Sequence, residues 1–187
     1  MHCLSETDRK NILDLTRQAV VEAVTQKRLL REIPRNDSFQ QHCGVFVTLH
    51  VAGKLRGCIG VIQPKEPLGE HIARCAFSAA LEDPRFTPMQ PEELPKLGIE
   101  VSLLSPLERI QPEQIEIGKH GLLVEQGFRR GLLLPQVAVE HHLGREEFLA
   151  ETCHKAGLPV DSWKAPSTLI YGFTCEIVAE EKIRPAP

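Results

Sequence analysis

The chain has 187 residues, 42% hydrophobic and 25% charged, with a formal net charge of −3. This length and composition suit one globular domain with a sizeable core. The acidic balance and the shortage of aromatic residues, with one Trp and one Tyr, argue against a nucleic-acid-binding protein, which usually has a basic excess and stacking side chains.

The cysteines and the N-terminus indicate the compartment. Six cysteines stand at positions 3, 43, 58, 75, 153 and 175, without any Cys-x-x-Cys pair. They are expected to be free thiols in a reducing compartment. The N-terminus lacks the basic region and apolar run of a signal peptide, and no apolar run is long enough to cross a membrane. A cytoplasmic protein without membrane contact is therefore predicted.

The first predicted elements are a helix and a hairpin. Capping residues stand at positions 5–8, and residues 9–31 follow with a buried stripe at helical spacing. The predicted stripe consists of Ile12, Leu15, Ala19, Ala23 and Val24. Residues 44–62 are rich in β-branched and apolar residues and predict two strands joined by a tight turn near Gly53.

The turn of this hairpin decides which residue of the first strand lies opposite Cys58. A two-residue turn at Ala52 and Gly53 would set Val47 there, whereas a three-residue loop would set Phe46 there. We expect the three-residue loop, because Ala52 tolerates a positive φ poorly.

The later pattern favours an α+β protein. A helix is predicted over residues 67–81, a strand over 99–104, a second hairpin over 122–134, short helices over 135–143 and 145–156, and a closing strand over 168–178. Strands come in pairs with helices between them, which predicts a largely antiparallel sheet flanked by helices.

The stretch Gly53–Gly60 concentrates the residues that could carry chemistry. In a regular strand Arg56 and Cys58 project from the same face, about 7 Å apart along the chain. Glycine weakens a strand, so Gly57 and Gly60 need a reason, such as a bulge or close approach by a ligand or another backbone. We expect this strand to floor a pocket.

Cys58 is the candidate nucleophile. Arg56 on the same face would lower the pKa of its thiol, and a Cys–His pair would need His50, His71 or His120 beside it. Of these, His71 is the candidate catalytic partner. The alternative is a buried core thiol, since free cysteine is among the most buried residue types.

Arg56 and Arg85 are candidates for binding an anionic group, because a guanidinium suits carboxylate or phosphate. The structural alternative is that Arg85 pairs with Asp83. His71 and Cys75 lie four apart on one predicted helix face, but a metal site needs three or four ligands and no second spaced pair stands nearby. Neither a metal site nor a cofactor is predicted.

Several motifs, in order along nearly the whole chain, resemble the AMMECR domain, also called protein A of the AmmeMemoRadiSam system. They are Leu55-Arg56-Gly57-Cys58-Ile59-Gly60, Asp83-Pro84-Arg85-Phe86, the stretch 101–106, Gly118-Lys119-His120-Gly121, the stretch 133–137 and the stretch 155–159. One departure is Ala52-Gly53, where family members often have an Asn-Gly turn.

The resemblance implies a single AMMECR-type domain over residues 1–187, with an α+β fold and a larger and a smaller subdomain that have a cleft between them, near the hexapeptide. It implies no settled activity, and it implies a Memo-type protein and a radical S-adenosylmethionine enzyme as partners by association.

Binding of a small anionic ligand or partner group is favoured over an enzyme that uses Cys58, and a nucleic-acid-binding regulator is the third reading. The predicted ligand-binding residues are Arg56, Gly57, Gly60, Asp83, Arg85 and His120.

Overall fold

The computed structural model describes residues 4–180. Its α-helices are α1 (Glu6–Gln26), α2 (Leu68–Leu81), α3 (Pro135–Glu140) and α4 (Arg145–Lys155). Its strands are β1 (Gly44–Val51), β2 (Lys54–Val61), β3 (Leu97–Leu104), β4 (Glu108–Arg109), β5 (Gly121–Gln126), β6 (Arg129–Leu133), β7 (Leu169–Phe173) and β8 (Cys175–Ala179). Helices and largely antiparallel sheets share the chain, which confirms the predicted α+β class.

The chain divides into two compact units, each with its own four-stranded sheet. The first unit runs to Leu104 and resumes at Glu176, and the second is Ser105–Cys175. The first sheet has the order β2-β1-β3-β8 and the second the order β4-β7-β5-β6. Strand β2 therefore lies at an edge of the first sheet, and strands β4 and β6 lie at the two edges of the second.

In the first unit α1 and α2 cover one face of the sheet. Alternate residues of the two central strands are fully buried in the same core as both helices. The core-facing residues of β1 and β3 are Val45, Val47, Leu49, Ile99, Val101 and Leu103. The residues between them, which include Thr48 and Glu100, belong to the other face.

Helix α1 begins earlier and ends earlier than residues 9–31, the predicted range. It begins at Glu6 because Ser5 and Asp8 form a capping box, with the Asp8 N–H donating to Ser5 Oγ at 3.1 Å. It ends at Gln26 because Lys27 takes a left-handed φ of 54° while its N–H still bonds the Ala23 oxygen. Lysine gives no sequence signal for such an end. The predicted buried stripe of the helix is confirmed.

The β1–β2 hairpin has a two-residue turn, so the expected three-residue loop is wrong. Ala52 and Gly53 both take positive φ values, 51° and 77°. Two positive φ values give the turn whose twist matches that of the flanking strands. The Ala52 N–H donates to the Lys96 oxygen at 3.2 Å, an added contact that helps to hold this strained turn.

A β-bulge follows the turn and changes the register again. The pairing slips between Leu49 and His50, which leaves Arg56 without a partner on β1. Beyond the bulge Thr48 lies opposite Cys58. Neither register considered from the sequence is therefore right, because one extra residue separates the turn from the rest of the ladder.

The glycines of β2 are needed for close packing on both faces of the strand. A Cβ added at Gly57 would lie 2.0 Å from the backbone oxygen of Ala79 in α2. A Cβ added at Gly60 would lie 2.3 Å from the ring of Phe46. Close approach by another backbone, one of the reasons expected for these glycines, is confirmed at Gly57, whereas a side chain fills the space at Gly60.

The second unit packs α4 against the β5–β6 hairpin, which confirms the hairpin predicted over residues 122–134. Phe148, Leu149 and Cys153 of α4 are fully buried and share a core with Leu122 and Val124 of β5. The hairpin and this helix thus supply most of the core of the unit.

The closing strand predicted over residues 168–178 is in fact two strands in different sheets. Strand β7 ends at Phe173 and β8 begins at Cys175. Thr174 between them donates its N–H to Ser105 Oγ and accepts from the Ser105 N–H, both at 2.9 Å. These two bonds replace ladder bonds at the residue where the chain changes sheet.

Four cysteines in the described residues, at positions 43, 58, 75 and 153, are free thiols, as predicted. Residues 1–3, which include Cys3, lie outside the described residues. Part of the N-terminal prediction fell on them. None of the helices within residues 4–180 has both the length and the apolar composition that a membrane span requires.

Substitutions at the two glycines of β2 test the packing. Gly57→Ala is expected to lower the free energy of unfolding by about 3 kcal/mol, since the backbone of α2 cannot move aside. Gly60→Ala is expected to cost only about 1 kcal/mol, because a Phe ring can rotate. Urea unfolding of both variants measures the difference. Equal losses would contradict the proposed backbone contact at Gly57.

Candidate functional site

The backbone of Cys58 is held at the edge of the first sheet by an ion pair. The Cys58 N–H donates to Asp83 Oδ2 at 2.9 Å, and Arg85 Nη2 donates to the Cys58 oxygen at 3.3 Å. A neighbouring strand would make these same two bonds. The Asp83–Arg85 pair therefore occupies the place of a fifth strand beside Cys58 and covers the edge there.

Asp83 and Arg85 form a two-point ion pair with very unequal exposure. Arg85 Nε donates to Asp83 Oδ1 at 3.0 Å and Nη2 donates to Oδ2 at 2.7 Å. The Asp83 side chain is 2% exposed and that of Arg85 is 53% exposed. Hydrogen bonds from Arg85, with the Cys58 N–H, hold the pKa of Asp83 well below its usual range, although burial alone would raise it.

Arg56 is committed to a second carboxylate. Its Nε donates to Glu93 Oε1 at 2.7 Å and its Nη2 donates to Oε2 at 3.1 Å. Glu93 belongs to the short 3₁₀ helix Pro91–Lys96, and Arg56 lowers its pKa. The Arg56 side chain is only 15% exposed. The anionic partner of Arg56 in this structure is thus a residue of the chain itself.

The Phe86 ring contacts both guanidinium groups. Its ring centroid is 5.8 Å from Cζ of Arg56 and 5.4 Å from Cζ of Arg85. Both distances fit a cation–π contact. The motif Asp83-Pro84-Arg85-Phe86 thus contacts the hexapeptide through a carboxylate, a guanidinium and a ring.

The thiol of Cys58 has a polar neighbour on the adjacent strand. Thr48 Oγ1 donates to Cys58 Sγ at 3.3 Å. Thr48 also pairs with Glu100 of β3, so these three residues form one row across β2, β1 and β3. Neighbouring strands are about 4.8 Å apart, and the row therefore spans about 10 Å of the sheet face that points away from the core.

Two further polar side chains alternate onto this face. His50 follows Thr48 by two residues on β1, and Ser102 follows Glu100 by two residues on β3. His50 Nδ1 and Ser102 Oγ are buried and make no hydrogen bond with the described residues. We call the set Thr48, His50, Cys58, Glu100 and Ser102 the polar face.

Burial separates the other thiols from Cys58. Burial raises the pKa of Cys43 to about 11 and that of Cys75 to about 12. Both thiols are therefore protonated at neutral pH and inert as nucleophiles. Cys58 differs from them in having a hydroxyl donor on its sulfur.

The histidines named from the sequence have different roles. His71 Nε2 accepts the backbone N–H groups of Lys65 and Glu66 at 3.2 and 3.1 Å, and burial lowers its pKa. It therefore caps a turn with the nitrogen that a general base would use. His120 lies in the second unit, where its Nδ1 accepts the Glu116 N–H at 3.1 Å. Only His50 shares the strand face of Cys58.

Sequence reasoning missed Thr48, Glu93 and Glu100. Thr48 and Glu100 enter the site through strand register, which the bulge at Arg56 obscured. Glu93 is one of several acidic residues in a proline-rich segment, and no spacing rule connects it with Arg56. Among the described residues, no group of three or more His, Cys, Asp or Glu side chains is placed so that it could hold a metal ion.

Comparison with known proteins gives consistent matches over most of the chain. The family model AMMECR1 matches residues 13–178. Protein TK0174 of Thermococcus kodakarensis is 47% identical over 183 residues, covering 91% of this chain and 89% of the relative. A protein of Aquifex aeolicus is 42% identical, covering 94% of each chain.

A solved structure is also similar. It is the crystal structure of the uncharacterized protein PH0010 from Pyrococcus horikoshii, which is 43% identical, with a TM-score of 0.86. The match covers 91% of this chain and 90% of that one. The fold described above is therefore also the fold of that relative.

Replacing Asp83 tests the edge contact. At pH 7, Asp83→Asn is expected to lower the free energy of unfolding by about 2 kcal/mol. The reason is that Arg85 and the Cys58 N–H would then face a neutral amide instead of a carboxylate. The pKa of Asp83 is lower in the folded chain, so this stabilisation is present above about pH 4 and declines as the pH falls further. Urea unfolding at pH 7 and about pH 2.5 measures the change.

The matched control is Glu66→Gln, which removes the carboxylate of the exposed Glu66–Arg74 pair. It is expected to change the free energy of unfolding by less than about 0.5 kcal/mol. If Asp83→Asn lowers the free energy of unfolding by the same amount at both pH values, a lowered pKa for Asp83 is contradicted.

Proposed function

This chain belongs to the AMMECR1 family, and from that premise we propose that it is a binding protein whose site is the polar face around Cys58, with Arg85 beside it. The ligand is a small molecule, or a group on a partner protein, that carries an anionic end. Arg85 receives the anionic end, and the polar face receives the remainder. The half-exposed guanidinium of Arg85 beside the hexapeptide is the observation that carries this proposal.

Arg85 keeps donors to spare, whereas Arg56 is enclosed. A guanidinium has five N–H donors. The hydrogen bonds to Asp83 and to the Cys58 oxygen engage Nε and Nη2 of Arg85, while Nη1 makes no hydrogen bond to the described residues. Because the Arg85 side chain is 53% exposed, the Nη1 donors can reach a carboxylate or phosphate. Asp83 fixes the group in place, so little entropy is lost when an anion binds.

The unpaired atoms of the polar face also support a binding role. Buried polar groups are almost always hydrogen-bonded, so His50 Nδ1 and Ser102 Oγ each call for a partner. A ligand or an ordered water on this face would supply one. Burial lowers the pKa of His50, so its imidazole is neutral at pH 7 and offers one donor and one acceptor.

A second candidate function is thiol chemistry at Cys58. It is favoured by the Thr48 hydroxyl, which donates to Sγ at 3.3 Å. A hydroxyl that donates to the sulfur can also donate to the thiolate, which is the nucleophilic form of cysteine. Thr48 is the only described residue that donates a hydrogen bond to Sγ. No described residue therefore contacts the sulfur as a catalytic base. Binding is therefore the better supported of the two functions.

On the resemblance alone we also propose that the protein works with a Memo-type protein and a radical S-adenosylmethionine enzyme. A nucleic-acid-binding role is disfavoured by the net charge of −3. The first of these two points rests on family association, and the second rests on composition.

Citrate is a suitable probe of the proposed anion site. It is expected to shift the backbone amide resonances of Cys58 and Arg85 in a saturable way when titrated into ¹⁵N-labelled protein. Arg85→Lys keeps the charge but loses the Nη1 donors, and is expected to weaken citrate binding about tenfold.

Arg74→Lys is the matched control, since Arg74 is also about half exposed, at 54%, and paired with one carboxylate. It is expected to leave the affinity unchanged. The anion site is refuted if millimolar citrate leaves the Cys58 and Arg85 amides unmoved, or if both variants bind it equally well.

Alkylation by iodoacetamide tests thiol chemistry separately. Cys58 is expected to react faster than Cys43 and Cys75, because burial keeps those two thiols protonated at neutral pH. Thr48→Val is expected to slow the reaction at neutral pH several-fold by removing the donor to Sγ. Mass spectrometry of peptides after timed alkylation at several pH values measures each site.

The control for this experiment is Thr25→Val, which removes a hydroxyl that bonds only within α1. A rate for Cys58 no higher than the rates for Cys43 and Cys75, or equal rates for Thr48→Val and Thr25→Val, would exclude the second candidate function while leaving the binding proposal standing.

A further inference from the structure

A groove in the second unit lies wholly among residues of that unit and shares none with the polar face. It has a volume of about 340 Å³ and is lined chiefly by Arg109, Ile110, Pro112, Trp163, Lys164 and Pro166. Small-molecule sites in proteins begin at about 300 Å³. We call it the Trp163 groove, after the single tryptophan of the chain.

The walls of the groove suit a flat apolar group. Trp163 is half-buried and presents a large ring, and two prolines add rigid apolar surface. Ile110 and Ile170 also line the groove, and the Ile110 N–H donates to the Ile170 oxygen at 3.1 Å. Aromatic rings stack well on tryptophan, and stacking on such a residue contributes strongly to the binding of bases and similar rings.

The charged groups of the groove are cations. Arg109 is exposed on the edge strand β4 and, within residues 4–180, has no ion pair or side-chain hydrogen bond. Lys164 Nζ lies 5.0 Å from the centroid of the Trp163 ring and 3.3 Å from Asp161. Both members of the Lys164–Asp161 pair are more than half exposed, so the pair is weak and a ligand can displace it.

The nearby acidic residues do not cancel this charge. Glu108 precedes Arg109 on β4, and alternation directs its side chain to the opposite face of the strand. Asp161 is outside the lining of the groove. An unpaired guanidinium and a weakly paired ammonium beside an aromatic wall are therefore available to one ligand.

We propose that the Trp163 groove binds a small planar aromatic molecule that carries an anionic group, of the chemical class of a nucleoside monophosphate. The ring packs on Trp163 and the prolines, and the anion bonds Arg109, with Lys164 as a second cation. This site is independent of the proposed function at Cys58 and does not require it.

Trp163 reports on this site directly, because it is the only tryptophan. Adenosine 5′-monophosphate is expected to change its fluorescence in a saturable way when the indole is excited at the red edge, where adenine does not absorb. Adenosine is expected to bind about tenfold more weakly because it lacks the anion, and inorganic phosphate is expected to compete only weakly because it lacks the ring.

Two arginine variants on opposite edges of the same sheet complete the test. Arg109→Gln is expected to weaken adenosine 5′-monophosphate binding about tenfold. Arg130→Gln, on β6 at the other edge, is the control and is expected to leave binding unchanged. Arg109 is exposed on a two-residue strand, so its variant is expected to fold normally, which the melting temperature checks.

The proposal is overturned if millimolar adenosine 5′-monophosphate gives no saturable change, or if both variants bind it alike. It is also overturned if phosphate competes as well as the nucleotide, since the groove would then hold an anion without recognising a ring. Citrate binding at Arg85 is unaffected by any of these results.

Discussion

The first unit depends on the buried carboxylate of Asp83. It accepts the Cys58 N–H of an edge strand while Arg85 neutralises it from the solvent side. The contact joins the residues that follow α2 to the middle of β2, next to the close approach between Gly57 and the α2 backbone. Leaving a buried carboxylate or a buried N–H unpaired would cost more than the pair itself contributes, which makes the arrangement difficult to dismantle one residue at a time. Two motifs 25 residues apart in the sequence are therefore one physical unit.

The two arginines of these motifs look alike in the sequence but have different environments in the structure. Arg56 is enclosed by Glu93 and by the Phe86 ring, and its guanidinium serves the fold. Arg85 makes equally good bonds to its carboxylate but remains half exposed. The structural alternative for Arg85, a pair with Asp83, and a role in binding are thus compatible, because a guanidinium has more donors than one carboxylate accepts. Anion binding at Arg85, as proposed, consequently depends on its spare N–H donors rather than on net charge, which the two carboxylates cancel.

Much of the fold follows from periodicity, and the site does not. Burial along α1 and α2 repeats at helical spacing, and the two hairpins span residues 44–61 and 121–133, within a residue of the predicted 44–62 and 122–134, because side-chain alternation is local information. The end of α1 at Lys27 and the turn at Ala52 were not predictable, since each places a non-glycine residue at positive φ, against its own preference. Glu93 was not predictable for a different reason. Which of several carboxylates meets Arg56 depends on how a proline-rich segment folds back onto the sheet, and local pattern carries no such information.

The turn at Ala52 has a chemical consequence for the thiol. With the three-residue loop the ring of Phe46 would lie across from Cys58, and the sulfur would have an apolar neighbour. The two-residue turn and the bulge at Arg56 instead bring Thr48 across from Cys58, and with it a hydroxyl donor and the row to Glu100. The strained turn, held in part by the Lys96 oxygen, and the bulge at Arg56 together therefore decide that the hexapeptide presents its sulfur to polar groups. The polarity of the candidate site thus depends on the hairpin turn and on the bulge beside it, and the strain at Ala52 is explained by what that register brings together.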